Sequence, residues 1–348
     1  MPITAASTAL RSPLFRGGGR IDFVDQLVPE PGPGEVLLRV RANAACGSDR
    51  PLFSEGAAVT PGHEVVGEVA AAGPGVALPA GALVAVYLMD FCGRCRSCRV
   101  GATNQCLGKR ADVGFTVPGG YGPFVLTHAS NAFPVGDDLT PVEATLLLDV
   151  MGTGGHAIGR AQLVRPDFAS LLVTGAGPIG LGVLAMARLL LGPGVPVAIT
   201  DVQPYRLELA RRLGGQPIDL RSESLDDGLA RLGLCEVDVA IDTTGKAIAR
   251  QGALGRLGQR GVLVCVGHGE ELRLEVSPQL IASERAVLGS EYFRYDEMAG
   301  NLALLRRHRA YLGMIITHRY PIGQLQEALA FFHRGECGKV VVEQEAQP

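Results

Sequence analysis

Four of the eight cysteines fall within fifteen residues, spaced Cys92-x2-Cys95-x2-Cys98-x7-Cys106. A run this dense leaves few outcomes: the thiolates close on one metal, pair as two disulfides, or hold an iron–sulfur cluster. Gly93 and Gly101 let the backbone wrap a small sphere, and Arg94, Arg96 and Arg99 offset the charge of four thiolates on one divalent ion. Tetrahedral zinc suits the spacing best, and with four sulfurs bound it has no position left for substrate, so the site is expected to be structural. Such sites fold lobes with little core of their own, with apparent binding of about 10–16 kcal/mol in small zinc peptides. Thiols used this way point to a reducing cytoplasm. Cys235, Cys265 and Cys337 lie apart and read as packed thiols.

The lobe is a small part of 348 residues, a length that argues for two domains at roughly 150 residues each. Lys and Arg total 32 against 35 Asp and Glu, so no basic field exists to hold nucleic acid or acidic lipid. Hydrophobic residues at 47% and charged residues at 19% exclude disorder. Met1 to Ser12 has no charged leader ahead of an apolar block. Leu171 to Thr200 is strongly apolar, but Pro178, Arg188, Pro193 and Pro196 interrupt it, so it reads as strand, helix and strand of a soluble core. Neither nucleic acid nor membrane is an expected partner.

From Ile21 to about Ala132, short Val- and Leu-rich runs alternate with Gly-Pro turns; Glu35–Val40, Glu64–Ala70 and Leu83–Leu88 are expected strands. From Ala169, apolar strands alternate with helical segments, the pattern of βαβ units on a parallel sheet. Ser170–Thr174, Val195–Thr200, Val237–Asp242 and Gly261–Val266 are the expected strands. Pro178–Leu191 and Arg206–Leu213 are the expected helices, the second capped by Gly214. The alternation fades after Ser290; a helix over Pro321–Gly335 and an extended Lys339–Glu343 form a tail that returns to the first domain.

Gly175-Ala176-Gly177-Pro178-Ile179-Gly180 matches G-x-G-x-x-G between an expected strand and an expected helix, where the glycines allow a tight turn and a pyrophosphate sits at the helix N-terminus. Asp201 ends the next strand, 21 residues after Gly180, where an acid accepts hydrogen bonds from an adenosine ribose. A carboxylate there repels a 2′-phosphate, which favours NAD over NADP. Cys46 in Cys46-Gly47-Ser48-Asp49 and His63 in Gly62-His63-Glu64 offer a thiolate and an imidazole. With Glu64 or Asp149 as carboxylate they make a catalytic zinc site with an open fourth position.

In this combination and order, the motifs resemble the zinc-dependent medium-chain dehydrogenase/reductase family of alcohol, polyol and threonine dehydrogenases, from Pro31-Gly32-Pro33-Gly34-Glu35 through Gly338-Lys339-Val340-Val341. The resemblance implies an α/β chain with a β-rich GroES-like catalytic domain over 1–148, its zinc lobe at 90–108, a Rossmann NAD-binding domain over 149–290, and 291–348 returning to the first domain. It implies Cys46, His63 and Asp149 as catalytic zinc ligands, with Glu64 exchangeable or behind them, and the four-cysteine lobe as a second, structural zinc. It also places Thr153, Arg206, Thr243, Thr244, Val266, Gly267 and Lys339 with Gly175, Gly177, Pro178, Ile179, Gly180 and Asp201 around the cofactor.

The expected reaction is reversible hydride transfer from a secondary alcohol or polyol to NAD. Zinc lowers the pKa of a bound hydroxyl, and Ser48 takes its proton toward the ribose, unless its hydroxyl only bonds nearby backbone. Alternatives are an aldose 1-dehydrogenase, or a metal-free reductase or dinucleotide-binding regulator that keeps the structural zinc. Phe293-Arg294-Tyr295 resembles a segment of sorbitol-type members, with Glu291, Tyr292 and Arg294 as contacts for substrate hydroxyls. A homodimer or homotetramer is expected. The chain departs from the family at Pro51, where a proton-passing His often stands, at Gly81-Ala82 in place of Gly-Asp, and in a short segment between Cys46 and His63.

Overall fold

The computed structural model of the chain describes residues 10–344. Most of the Met1–Ser12 stretch, read above as carrying no leader, lies outside the described residues. These divide into two compact units: one runs to Leu148 and resumes over Arg294–Arg309 and from Ile316 onward, and the other is Asp149–Phe293 with Ala310–Ile315.

The first unit is built on a seven-stranded sheet. Its order is Ile316–Pro321, Lys339–Glu343, Glu35–Ala44, Glu64–Ala72, Leu83–Val86 and Ala132–Pro134, with Phe124–His128 also paired to Glu35–Ala44. Val36, Leu38 and Val40, alternating with Leu37 and Arg39, send one face of the central strand into a core with Val65, Val69, Val84, Val86 and Val125. Lys339–Glu343 pairs antiparallel with Glu35–Ala44, placing Val341 opposite Ala44, and Ala44 in turn faces Glu64.

The helix before that strand covers Leu325–Arg334 rather than the whole of Pro321–Gly335, because Ile322–Gln324 form a separate tight turn. Leu325, Ala328, Leu329 and Phe332 recur at one-turn spacing and are buried, each large side chain contributing about 1.5–3 kcal/mol. The helix ends at Gly335 in the left-handed region.

The second unit is a six-stranded parallel sheet in the order Gln216–Asp219, Val197–Asp201, Leu171–Thr174, Val237–Asp242, Leu257–Cys265 and Ala286–Gly289. In chain order this is 3-2-1-4-5-6, the doubly wound nucleotide-binding arrangement. All four residues of Leu171–Thr174 are buried, as a parallel strand covered on both faces requires. Among the described residues, no helix is long and apolar enough to cross a membrane.

Candidate functional site

The four lobe cysteines gather their sulfurs within 4.8 Å of one another. Cys95 Sγ lies 3.5 Å from that of Cys98 and 3.9 Å from that of Cys106. Tetrahedral zinc with Zn–S near 2.3 Å calls for sulfurs about 3.8 Å apart, so the donors fit that ion. The backbone N–H groups of Cys98 and Leu107 aim at Cys95 Sγ and lower its thiol to about 6, while burial pushes Cys98 to about 12. Arg94, Arg96 and Arg99 are exposed around the lobe.

Arg294, expected from the sequence among the contacts for substrate hydroxyls, is anchored with Tyr295 on this lobe. Arg294 Nε donates to Gly101 O at 3.1 Å and to Asp296 Oδ1 at 3.1 Å. Tyr295 N donates to Thr103 Oγ1 at 2.8 Å, and its ring packs on Tyr87 and Phe91. Tyr292 is buried against Phe293, and Glu291 pairs with His268 at 3.2 Å. The expected packing of the remaining thiols holds for Cys337, whereas Cys235 is exposed.

The second cluster joins Cys46, His63, Glu64 and Asp149, one donor atom from each within 4.8 Å of the others and all four residues buried. Cys46 follows the central strand, and its N–H donates to Asp49 Oδ2 at 3.0 Å. His63 precedes the Glu64–Ala72 strand, where Gly62 is required: its φ is +103°, and a Cβ would lie 2.7 Å from Tyr121 N. Glu64 opens the strand, and Asp149 follows directly on Leu148 as the first residue of a π-helical turn over Asp149–Thr153. A soft thiolate, an imidazole and two hard carboxylates form a donor set suited to zinc.

The sequence reading gave no role to the groups behind these ligands. Asp49 is fully buried, and its Oδ1 stands 3.8 Å from His63 Nδ1. Tyr121 OH donates to Asp49 Oδ2 at 2.7 Å, and burial followed by the Asp49 charge holds this phenol well above its usual range. Phe115 lies 5.1 Å from the His63 ring, centroid to centroid, and shields that side of it. The burial of Asp49 had no sequence signal beyond its place in the Cys46 motif.

Lys339, expected beside the cofactor, pairs with a residue of the second cluster. It has no exposed surface, and its ammonium bonds Glu64, which is also wholly buried. The register explains the pairing, since the Lys339 and Glu64 strands flank the same residue, Ala44. Ser48 is exposed and precedes the Asp49–Glu55 helix without making a side-chain cap.

In the second unit, the Gly175–Gly180 turn, Asp201, Thr243, Thr244, Val266 and Gly267 lie at the carboxyl ends of parallel strands. Gly175 takes a φ of +88°, and a Cβ on Gly180 would lie 1.8 Å from Gly175 O, so the first and third glycines of the turn are sterically required. Above Gly177 a Cβ would meet only Arg206, at 3.8 Å, which leaves that peptide open to a ligand. Pro178 starts the Pro178–Leu190 helix, with Ile179 half-buried behind it.

Asp201 accepts from Ala176 N at 2.7 Å through Oδ2, and from Val202 N and Gln203 N through Oδ1. Gln203, not Asp201, occupies the N-cap of the Pro204–Arg212 helix. Thr243 Oγ1 donates to Thr174 O and Gly175 O, and Thr244 Oγ1 to Asp242, so both hydroxyls brace the turns. Val266 and Gly267 donate their N–H groups to Asp242 O. Thr153 is buried at the end of the π-helical turn.

Comparison with known proteins gives two family matches: the alcohol dehydrogenase GroES-like domain over residues 32–137, and the zinc-binding dehydrogenase domain over 178–307. An L-threonine 3-dehydrogenase of Rhizobium johnstonii is 32% identical over 91% of this chain and 93% of its own length. An acetophenone reductase from Geotrichum candidum, solved in complex with NAD, superposes with a TM-score of 0.83 at 26% identity, covering 98% of each chain. An alcohol dehydrogenase from Thermus sp. ATN1 shares the fold, with a TM-score of 0.86 at 24% identity over 97% of this chain and all of its own.

Proposed function

Because the chain belongs to the zinc-dependent medium-chain dehydrogenase/reductase family, we propose that it oxidises a secondary alcohol reversibly by hydride transfer to NAD. As a member, it is a zinc-containing oxidoreductase of alcohol- or polyol-type substrates. The observation that carries the finer reading is the buried Cys46, His63, Glu64 and Asp149 cluster. The secondary alcohol is favoured over the polyol because Arg294, the residue expected to receive extra hydroxyls, is bonded to Gly101 and Asp296. L-threonine bears its 3-hydroxyl on a secondary carbon, and reduction of acetophenone produces a secondary alcohol, so the relatives' names agree.

When bound by Cys46, His63 and Asp149, zinc supplies Lewis-acid polarisation that brings deprotonation of a hydroxyl close to neutral pH. Asp49 sets a carboxylate 3.8 Å from His63 Nδ1. Lys339 neutralises Glu64, which leaves Asp149 as the resting carboxylate ligand and Glu64 behind it. Phe115 keeps water from one side of His63. Ser48 takes up the substrate proton and passes it to solvent, since Pro51 has no titratable group. Ser48→Ala is expected to lower kcat about 10²-fold, the lower range for a lost acid–base group; an unchanged kcat and pH profile would remove Ser48 from this role.

Asp201, whose carboxylate already bonds three backbone N–H groups, receives the adenosine ribose, and Arg206 covers the pyrophosphate turn at Gly177. The reading is completed by a homodimer or homotetramer in the cytoplasm. The test is NADH formation by the zinc-loaded protein across secondary alcohols, polyols and aldoses. Turnover is expected with secondary alcohols, with kcat/KM about tenfold or more higher for NAD than for NADP, as an acid at the ribose demands. Turnover confined to aldoses, or none, would overturn the reading.

A further inference from the structure

Arg250 lies within the Ala247–Gly255 helix and is almost wholly buried. Its Nε donates to Asp242 Oδ2 at 3.0 Å, and its two terminal nitrogens donate to the carbonyls of Gly267 and Glu270. Asp242 has no exposed surface and also accepts from Thr174 Oγ1 at 2.7 Å, Thr244 Oγ1 at 2.7 Å, Thr244 N at 3.0 Å and Gly245 N at 3.1 Å. One guanidinium therefore ties together two turns: Thr243–Gly245, after the Val237–Asp242 strand, and Val266–Glu270, after the Leu257–Cys265 strand. The turns are joined again by Glu270 N on Gly245 O at 2.7 Å.

We propose that Arg250 is a positioning residue for the nicotinamide end of the cofactor, acting through the Val266–Glu270 turn. This rests on the dinucleotide reading above. Drawing the Gly267 carbonyl toward Arg250 fixes the orientation of that peptide plane. In a planar trans peptide the N–H points opposite to the carbonyl, so the His268 N–H is turned away from Arg250. In the 3-2-1-4-5-6 sheet, two mononucleotide-binding halves, the first half with Asp201 and the Gly175–Gly180 turn takes the adenosine end, so the turns after the fourth and fifth strands fall to the nicotinamide end. A buried charged network is a costly way to stabilise a helix, and what it confers here is one fixed geometry of the turn. A lysine in this position keeps the charge on Asp242 but, as a point donor, loses the planar fork that spans both carbonyls.

The test measures binding of NADH and of ADP-ribose to zinc-loaded wild type and Arg250→Lys, together with KM for NAD and for the alcohol. NADH is expected to bind about tenfold more weakly and ADP-ribose within about twofold of wild type, with KM rising for NAD and not for the alcohol. Arg250→Gln, which retains a neutral donor, is expected to show the same split. Unchanged NADH affinity overturns the proposal, and so does an equal loss for both ligands, which marks a merely structural role. Failure of wild type to bind ADP-ribose overturns the dinucleotide reading itself.

Discussion

Cys46→Ser protein is expected to hold one zinc per chain where wild type holds two, and to lose alcohol oxidation about a thousandfold or more. The two donor sets are separate: four sulfurs in the lobe, and Cys46, His63, Glu64 and Asp149 in the buried cluster. A serine at position 46 replaces the soft ligand with a hydroxyl that stays protonated near neutral pH, and the remaining imidazole and carboxylates hold zinc far more weakly. With the metal goes several kcal/mol of stabilisation at the reacting oxygen, and each ~1.4 kcal/mol is a factor of ten in rate. Elemental analysis beside NADH binding separates the causes, because the residues at the Gly175–Gly180 turn are untouched and NADH affinity is expected to hold. Two zinc ions retained, or activity within tenfold of wild type, would contradict the assignment of Cys46.

The largest expected effect on stability comes from Lys339→Met. Lys339 and Glu64 have no exposed side-chain surface. Removing one partner of such a pair leaves a buried charge without compensation and typically costs about 3–5 kcal/mol, whereas replacing both with apolar groups is often neutral. For a unit of this size, that predicts a fall of roughly 6–20 °C in the first thermal transition. Lys339→Met with Glu64→Leu should recover much of the loss. Calorimetry of the zinc-free proteins checks both, because bound zinc would itself offset the Glu64 charge. A single variant melting with wild type would mean that the ion pair contributes no net stability.

Local patterns were legible where local chemistry decides the outcome. Cysteine spacing and the glycine hexad each impose geometry within a few residues, and the sequence placed the lobe and the turn. Gln216–Asp219 escaped notice because Gln-Pro-Ile-Asp has no apolar run. It is tolerated as the outermost strand of its sheet, where Pro217 need not donate on its free side. The helix over Glu297–Arg307 had a readable stripe at Met298, Leu302 and Leu305, but lay beyond the point where the βαβ alternation faded. The Pro204–Arg212 helix begins earlier than read because proline is favoured in its first turn.

Polar partners were the least legible part of the site. Asp49, Asp242 and Arg250 are charged residues whose burial no local pattern announces, because tertiary packing alone covers them. The partner of Lys339 is 275 residues away in sequence, across a strand pairing no local pattern reveals. The acceptor of Arg294 was equally hidden, because it belongs to the zinc lobe, 193 residues earlier.

The Lys339–Glu343 strand lies inside its sheet, between Ile316–Pro321 and Glu35–Ala44. During synthesis, the parallel sheet of the second unit has emerged in full long before this strand leaves the ribosome. The first unit, although begun earlier, must wait with an open seam beside Glu35–Ala44 and with Glu64 lacking its counter-charge. The order of translation and the order of completion are thus reversed: the half of the chain made first is finished last.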